Sequence, residues 1–374
     1  MTRHEVIVEV GEDVRMEDEA AIAVREAALR AAAEARPAEQ PDEVSRGKPQ
    51  PHHPGSVSRE TSEVATEPPH HPASSQRSKG SPESPTPVEN SVVAREARVT
   101  FRVPRDRSLG AQHVIAVANQ KGGVGKSTTA VNLGAYLAIA GARVLVVDLD
   151  PQGNASTGLG LDHRQIEHSI YDVLTGDLES SAAIRPTVVS DLDVLPSTID
   201  LAGAEVELVS AISRESRLRR ALTTVRHLYD VIIIDCPPSL GLLTVNALAA
   251  ADELLIPIQC EYYALEGLGQ LLRNVDLVRA NLNPELRVGG IVLTMYDGRT
   301  RLAEQVVYEV RKHFTDIVFR TVVPRSVRLS EAPGYGVPIA IYDPLSRGGI
   351  AYRDLTFEFA ARAGLLVSAA EGAS

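Results

Sequence analysis

The chain has 374 residues, 38 Lys plus Arg against 49 Asp plus Glu, and 44% hydrophobic residues, enough apolar material for one substantial globular domain. No stretch reaches the ~18 uncharged apolar residues of a membrane-spanning helix, and the start MTRHEVIVEV lacks the basic beginning and apolar core of a secretory signal, so a cytoplasmic protein is expected. A formal net charge of -11 argues against a surface that is basic throughout and leaves nucleic acid only a local basic face.

Residues 1–110 read as an extension. All fifteen aromatic residues lie at or beyond Phe101, so the first hundred residues have none with which to anchor a packed core. The segment MEDEAAIAVREAALRAAAEARP is rich in Ala, Leu, Glu and Arg and stops at Pro37, which predicts a short helix over residues 16–36. Ile22 and Leu29 lie one heptad apart, but Arg25 and Glu26 interrupt the apolar stripe. The segment reads either as a solvated Ala-rich helix or as a docking helix for a partner. Residues 37–90 carry eleven of the 23 prolines and the pairs His52, His53 and His70, His71, with no Leu, Ile, Phe or Tyr. That is the composition of a disordered linker.

From Gln112 the texture changes to short β-branched runs alternating with helical stretches. HVIAVAN is followed by a helix from Lys126 to Ala140, then by ARVLVVDLD, DLDVLPS, YDVIIID, ADELLIPIQ, LRVGGIVLT and DIVFRTVVP. Continuous apolar runs of strand length are buried on both faces. Residues 111–374 are therefore expected to form an α/β domain with a mainly parallel sheet flanked by helices, its ligand beyond the carboxyl ends of the strands. Cys236 and Cys260 fall in apolar runs and offer neither a disulfide framework nor a Cys-pair metal site.

Between the first strand and its helix stands Asn119-Gln120-Lys121-Gly122-Gly123-Val124-Gly125-Lys126-Ser127-Thr128. A glycine-rich turn opening a helix surrounds phosphate oxygens with backbone N–H groups and the positive helix end. Lys126 would reach the outer phosphates and the Ser127 hydroxyl would bind Mg²⁺. The pattern G-x-x-x-x-G-K-[ST] fails at its first position, which is Gln120, and a second lysine, Lys121, stands in the loop. The chain writes 33 of its basic residues as Arg and only five as Lys, yet both basic residues here are Lys. A compact ammonium suits a crowded phosphate loop.

KGGVGKST, with VDLDPQGNAS at 147–156 and IIIDCPPS at 232–239, resembles the ParA/Soj chromosome and plasmid partition ATPases, within the wider deviant Walker group that includes MinD. EYYALEG at 261–267, LTMYDGRT at 293–300 and VPRSVRLSEAPGYG at 323–336 extend the resemblance over residues 112–365. It implies a P-loop ATPase using ATP and Mg²⁺, with nucleotide contacts from Lys121, Gly122, Gly123, Val124, Gly125, Lys126, Ser127 and Thr128 and from Pro324 and Arg325. It also implies a homodimer in which Lys121 reaches the partner's nucleotide, so that ATP is sandwiched between two subunits until hydrolysis dissolves the pair. A ParB-like centromere-binding protein would stimulate that hydrolysis.

Three carboxylates stand at strand ends. Asp148 and Asp150 follow the second strand, and alternation along a strand could turn both to one side, to hold Mg²⁺ or to orient the attacking water. The resemblance assigns hydrolysis to Asp150, which would position or activate that water. Asp235 ends VIIID, the placement of a carboxylate that orders the metal's water shell, and Pro237 and Pro238 stop the strand behind it. The metal set is thus Ser127, Asp148 and Asp235. Each carboxylate has the plainer alternative of capping the turn that follows it.

Residues 295–330 hold seven basic side chains against four acidic ones, inside a domain that is acidic as a whole. Doubled in a dimer, such a face could make salt-sensitive, sequence-independent contacts with duplex DNA. The alternative is a solvated helix face with ordinary ion pairs. The resemblance favours DNA and points to Arg299, Arg325 and Arg328, hence to a nucleoid-associated protein. A second basic cluster, Arg214, Arg217, Arg219, Arg220 and Arg226, would extend the face or be solvated. Competing readings are a membrane-site selector, which would need a basic amphipathic C-terminal helix that LLVSAAEGAS does not offer, and an iron–sulfur electron carrier, for which the two cysteines are unsuited. Docking of the extension on a cell-pole scaffold is compatible with DNA segregation.

Overall fold

The structure is a computed structural model that describes Val103, residues 113–261 and residues 264–365. The expected helix at 16–36 and linker at 37–90 lie outside the described residues. The chain runs through β1 (His113–Val117), α1 (Lys126–Ile139), β2 (Val144–Asp148), α2 (Asn154–Gly158), α3 (Ile170–Thr175), α4 (Ser180–Ala183), β3 (Arg185–Pro186) and β4 (Leu192–Leu195). It continues with α5 (Leu201–Glu207), α6 (Arg217–Thr223), β5 (Val231–Asp235), α7 (Leu242–Ala250), β6 (Glu253–Gln259) and α8 (Ala264–Asn281). Then come β7 (Arg287–Tyr296), α9 (Arg301–His313), β8 (Val318–Pro324), α10 (Val327–Glu331), α11 (Ile339–Tyr342) and α12 (Arg347–Arg362).

The strands form one sheet in the order β3-β4-β2-β5-β1-β6-β7-β8. Only the β3–β4 pair is antiparallel. Seven of these strands are the apolar runs read from the sequence. The eighth, β3, has two residues and no hydrophobic pattern to announce it.

Alternation along the strands divides the core into two layers. Ile115, Val117, Val144, Val146, Val231 and Ile233 pack with Leu133 and Tyr136 of α1 and with Tyr352, Leu355 and Phe359 of α12. Val114, Ala116, Leu145, Val147, Ile232 and Ile234 face the other way, toward Leu243 and Leu248 of α7, Leu268 and Leu271 of α8, and Val306 and Val310 of α9. Every residue of β2 and β5 is buried, as strands covered on both sides require. Each Val, Leu or Ile so placed contributes about 1.5–3 kcal/mol by leaving water.

The outer edge of β8 is partly covered by a side chain. Glu358 of α12 accepts the N–H groups of Arg320 at 2.8 Å and Thr321 at 3.0 Å, which leaves that edge fewer free donors for another chain to pair with. Among the described residues no helix is long and apolar enough to cross a membrane.

Parallel pairing brings the chemistry to one end of the sheet. Val117 stands opposite Asp235 across β1 and β5, and Asp148 stands opposite Asp235 across β2 and β5. The loop that follows β1, and the carboxylates of β2 and β5, therefore share the carboxyl-end crevice.

Candidate nucleotide site

The loop from Asn119 to Gly125 is held from beneath by two residues distant in sequence. Buried Asn119 donates its Nδ2 hydrogen to the Pro257 carbonyl at 2.7 Å, and its Oδ1 accepts the Lys121 N–H at 3.0 Å. Thr294, buried on β7, donates its hydroxyl to the Val124 carbonyl at 2.8 Å. Gly125 has φ of 89°, a left-handed conformation that side chains other than glycine rarely take, and it starts α1 with no side-chain cap. With no acidic residue in its first turn either, α1 presents uncapped N–H groups and the positive end of its dipole to the crevice.

That crevice is a cavity of about 390 Å³, in the size range of small-ligand sites. Gly122, Gly123, Gly125, Lys126, Ser127 and Thr128 form its polar floor with Asp150, Gln152, Asn154 and Thr157 at one side. Leu329, Ala332, Pro333, Val337, Pro338 and Ile339 supply an apolar wall, against which a flat heterocycle could pack. Among these, the sequence reading missed the whole wall. Its one local signal was the run of small and apolar residues after Arg328.

Lys126 is buried, and its Nζ donates to the Lys121 carbonyl at 3.3 Å. Burial lowers its pKa, opposed first by Asp235 and then by Asp150. Asp235 is fully buried and both of its carboxylate oxygens lack a hydrogen bond. Burial raises its pKa well above the ordinary value, Asp148 adds to the rise, and the Ser127 side chain and Lys126 oppose it. An unpartnered carboxylate beside a hydroxyl, in reach of the phosphate floor, is the environment that a hydrated cation would satisfy. Ser127 and Asp235 therefore fit Mg²⁺.

Asp148 does not. Like Asp235 it is fully buried and outside the cavity lining, but both of its oxygens are already engaged. One oxygen accepts the Asp150 N–H at 3.3 Å, and the other accepts the N–H and the hydroxyl of Ser156, both at 2.7 Å. Burial raises its pKa to about 6 against the hydrogen bonds of Ser156. The expectation that alternation would turn Asp148 and Asp150 to one side fails because β2 ends at Asp148 and the chain bends at Asp150 into the turn at Pro151 and Gln152. Asp150 alone of the two lines the cavity.

Pro324 and Arg325, expected at the nucleotide, also lie outside the cavity lining. Pro324 ends β8 and Arg325 follows it, its N–H donating to the Tyr296 carbonyl at 2.9 Å, and the cavity wall starts four residues later. Val124, also expected there, is buried outside the lining, and its carbonyl accepts the Thr294 hydroxyl. Lys121 does not line the cavity of its own loop; its side chain is 43% exposed and its ammonium is ion-paired with Glu261 at 2.7 Å.

The arginines expected on DNA are exposed, and two of the three are engaged with acids of their own subunit. The Arg299 guanidinium makes two hydrogen bonds to Asp297, at 2.8 and 2.7 Å, the Arg299 backbone N–H adds a third at 3.1 Å, and together they hold the carboxyl down at about 2. Arg328 meets Glu331 at 3.0 Å and Asp343 at 3.4 Å. Arg325 also helps to hold the Asp297 carboxyl down, after Arg299. The second basic cluster is largely structural. Arg217 donates to the Leu174 and Thr175 carbonyls, Arg219 to that of Leu282, Arg214 to Glu215 and Arg226 to Asp252. Cys236 and Cys260 are buried, and burial pushes both thiols up, Cys260 to about 12, so neither has thiolate character.

Residues 112–288 match a family model described as an AAA domain. The chain is 60% identical over 248 residues to the sporulation initiation inhibitor protein Soj of Bacillus subtilis, covering 66% of this chain and 98% of that protein. It is 56% identical over 249 residues to the chromosome partitioning protein ParA of Myxococcus xanthus, covering 67% of this chain and 88% of that one. A solved structure named cobyrinic acid a,c-diamide synthase, from Mycobacterium smegmatis with bound ADP and magnesium, shares 42% identity, covers 66% of this chain and 93% of its own, and superposes with a TM-score of 0.59. With the phosphate loop, the strand-end carboxylates and the parallel sheet already in place, these relationships show that the chain belongs to the Soj/ParA family of chromosome-partitioning ATPases.

Proposed function

We propose that the protein is an ATP-switched DNA-segregation ATPase that pairs with a second copy of itself on ATP, holds duplex DNA without reading its sequence, and lets go on hydrolysis. The observation that carries the switch is the position of Lys121. A lysine from the phosphate loop that stands half exposed outside its own cavity is available to a nucleotide bound elsewhere. A second subunit, docked across the crevice, supplies one.

The uncapped start of α1 and Lys126 bind the phosphates, while the apolar wall takes the base. Ser127 and Asp235 hold Mg²⁺, which neutralises charge on the phosphates when bound. Asp150, at the cavity margin, orients the attacking water, and Lys121 of each subunit completes the other's site. Arg299, Arg325 and Arg328 form the DNA face, and a ParB-like centromere-binding protein accelerates turnover. Residues 1–110 carry the docking function for a further partner such as a cell-pole scaffold.

The test is retention of the purified full-length chain on random-sequence duplex DNA with ATP, with ADP and without nucleotide, with lipid vesicles in parallel. ATP-selective retention on DNA is the expected result. Equal retention in all three states removes the switch, and ATP-selective binding to vesicles alone moves the function to a membrane.

A further inference from the structure

We propose that Asp148 is a positioning residue for hydrolysis, its buried carboxylate clamping the two ends of the turn that carries Asp150, with Ser156 as the other half of the clamp. The inference rests on the reading of Asp150 as the group that orients the attacking water. One Asp148 oxygen receives the Asp150 N–H where the turn begins, and the other receives the N–H and hydroxyl of Ser156 in the first turn of α2 where it ends. In between, the chain reverses tightly. The Asp150 Oδ1 accepts the Gln152 N–H at 3.0 Å, its carbonyl accepts the Gly153 N–H at 2.9 Å, and Gly153 has φ of 62°.

A third tie reaches across the fold. The Ser156 hydroxyl, while donating to Asp148, accepts the N–H of Ser197, which follows β4, at 3.1 Å. Asp148, Ser156 and Ser197 are all fully buried. Hydrogen bonds to a carboxylate in a dry setting are strong and geometrically strict, so the turn is fixed at entry, at exit and to the neighbouring strand. The turn brings Asp150, Gln152 and Asn154 to the cavity, and of these Asp150 alone carries a carboxylate. Small misplacements of a group that orients a nucleophile lower the rate of the chemical step and leave ligand binding intact.

The clamp and a metal ligand differ in what they move. In the full-length protein, Ser156→Ala, Asp148→Asn, Asp148→Ala and Asp150→Ala are compared for steady-state ATPase rate against ATP and against Mg²⁺, with ADP binding by calorimetry, each well below the variant's own melting temperature. Ser156→Ala and Asp148→Asn should lower kcat by about 10-fold or more while KM, ADP affinity and the half-saturating Mg²⁺ concentration stay within about two-fold. Asp148→Asn, which keeps one acceptor oxygen, should retain more activity than Asp148→Ala.

A half-saturating Mg²⁺ concentration that rises in Asp148→Asn, with kcat restored at high Mg²⁺, would make Asp148 a metal ligand and overturn the proposal. So would a wild-type kcat in Ser156→Ala while Asp150→Ala is slow. Wild-type turnover in Asp150→Ala would instead refute the role of Asp150 itself. Should the Asp148 variants fail to fold, Ser156→Ala decides alone, because the Ser156 N–H still binds Asp148 and no cavity-lining side chain is lost.

Discussion

In the proposed dimer, the ion pair between Lys121 and Glu261 should set a measurable threshold for assembly. The two groups meet at 2.7 Å with side chains 43% and 48% exposed, and a pair this open to water is worth about 0.2–1 kcal/mol. Breaking it should change the stability of the nucleotide-free fold by less than about 1 kcal/mol. In a symmetric dimer two lysines change partner, so Glu261→Gln, which still offers an oxygen to the Gln259 amide, removes a cost of at most about 2 kcal/mol. ATP-driven dimerisation should tighten by up to about 30-fold.

Lys121→Ala acts in the opposite direction. In the proposed dimer it would delete two charge-assisted hydrogen bonds to phosphate, each worth about 1.5–3 kcal/mol, so the dimer should weaken by about 100-fold or more while nucleotide binding to the single subunit persists. Sedimentation across a concentration series with a slowly hydrolysed ATP analogue reads both effects, and thermal melts without nucleotide supply the control. Unimpaired dimerisation of Lys121→Ala, or a weaker dimer from Glu261→Gln, would refute the exchange of partners.

Lys126→Ala should abolish ATP binding, because the phosphates lose the buried cation that acts within the same subunit; a calorimetric titration that still shows tight binding would remove this role. Burial raises Asp235 and Asp148 above their unfolded pKa values, so the stabilisation they give is complete below about pH 4 and fades as pH rises through their folded values, about 6 for Asp148. Melting temperatures of the nucleotide-free protein should accordingly fall as pH rises, Asp235→Asn should flatten that dependence, and the same variant should lose the extra stabilisation given by Mg²⁺ with ADP; an unchanged Mg²⁺ effect would place the metal elsewhere. Arg299→Glu and Arg328→Glu should weaken ATP-dependent DNA retention alike on all sequences and reduce the salt slope by about one for each phosphate no longer neutralised. A weakening confined to some sequences, or a failure to dimerise, would count against a nonspecific DNA face.

How much of this protein its sequence determined differs from one feature to the next. The layered α/β architecture was legible because VLVVD and VIIID are strand-length runs buried on both faces, and seven of eight strands followed from such runs. The phosphate loop and Asp235 were legible because a glycine-rich turn before a helix and a carboxylate ending an apolar strand are defined by near neighbours in the chain. The tertiary structure decided what depends on distant partners. Asp148 and Asp150 are the same chemical group two residues apart, and only the return of Ser156 beneath the turn, tied to Ser197 41 residues further on, separates a clamp from a group that faces the cavity. Glu261, 140 residues from Lys121, and Thr294, 170 residues from Val124, act on the loop only once β6 and β7 lie beside it. Local pattern decides which atoms leave water, since burial is set by spacing along one element. Which of two buried or half-buried charges remains free for a ligand is set by the donors that folding brings to it, and those come from elsewhere in the chain.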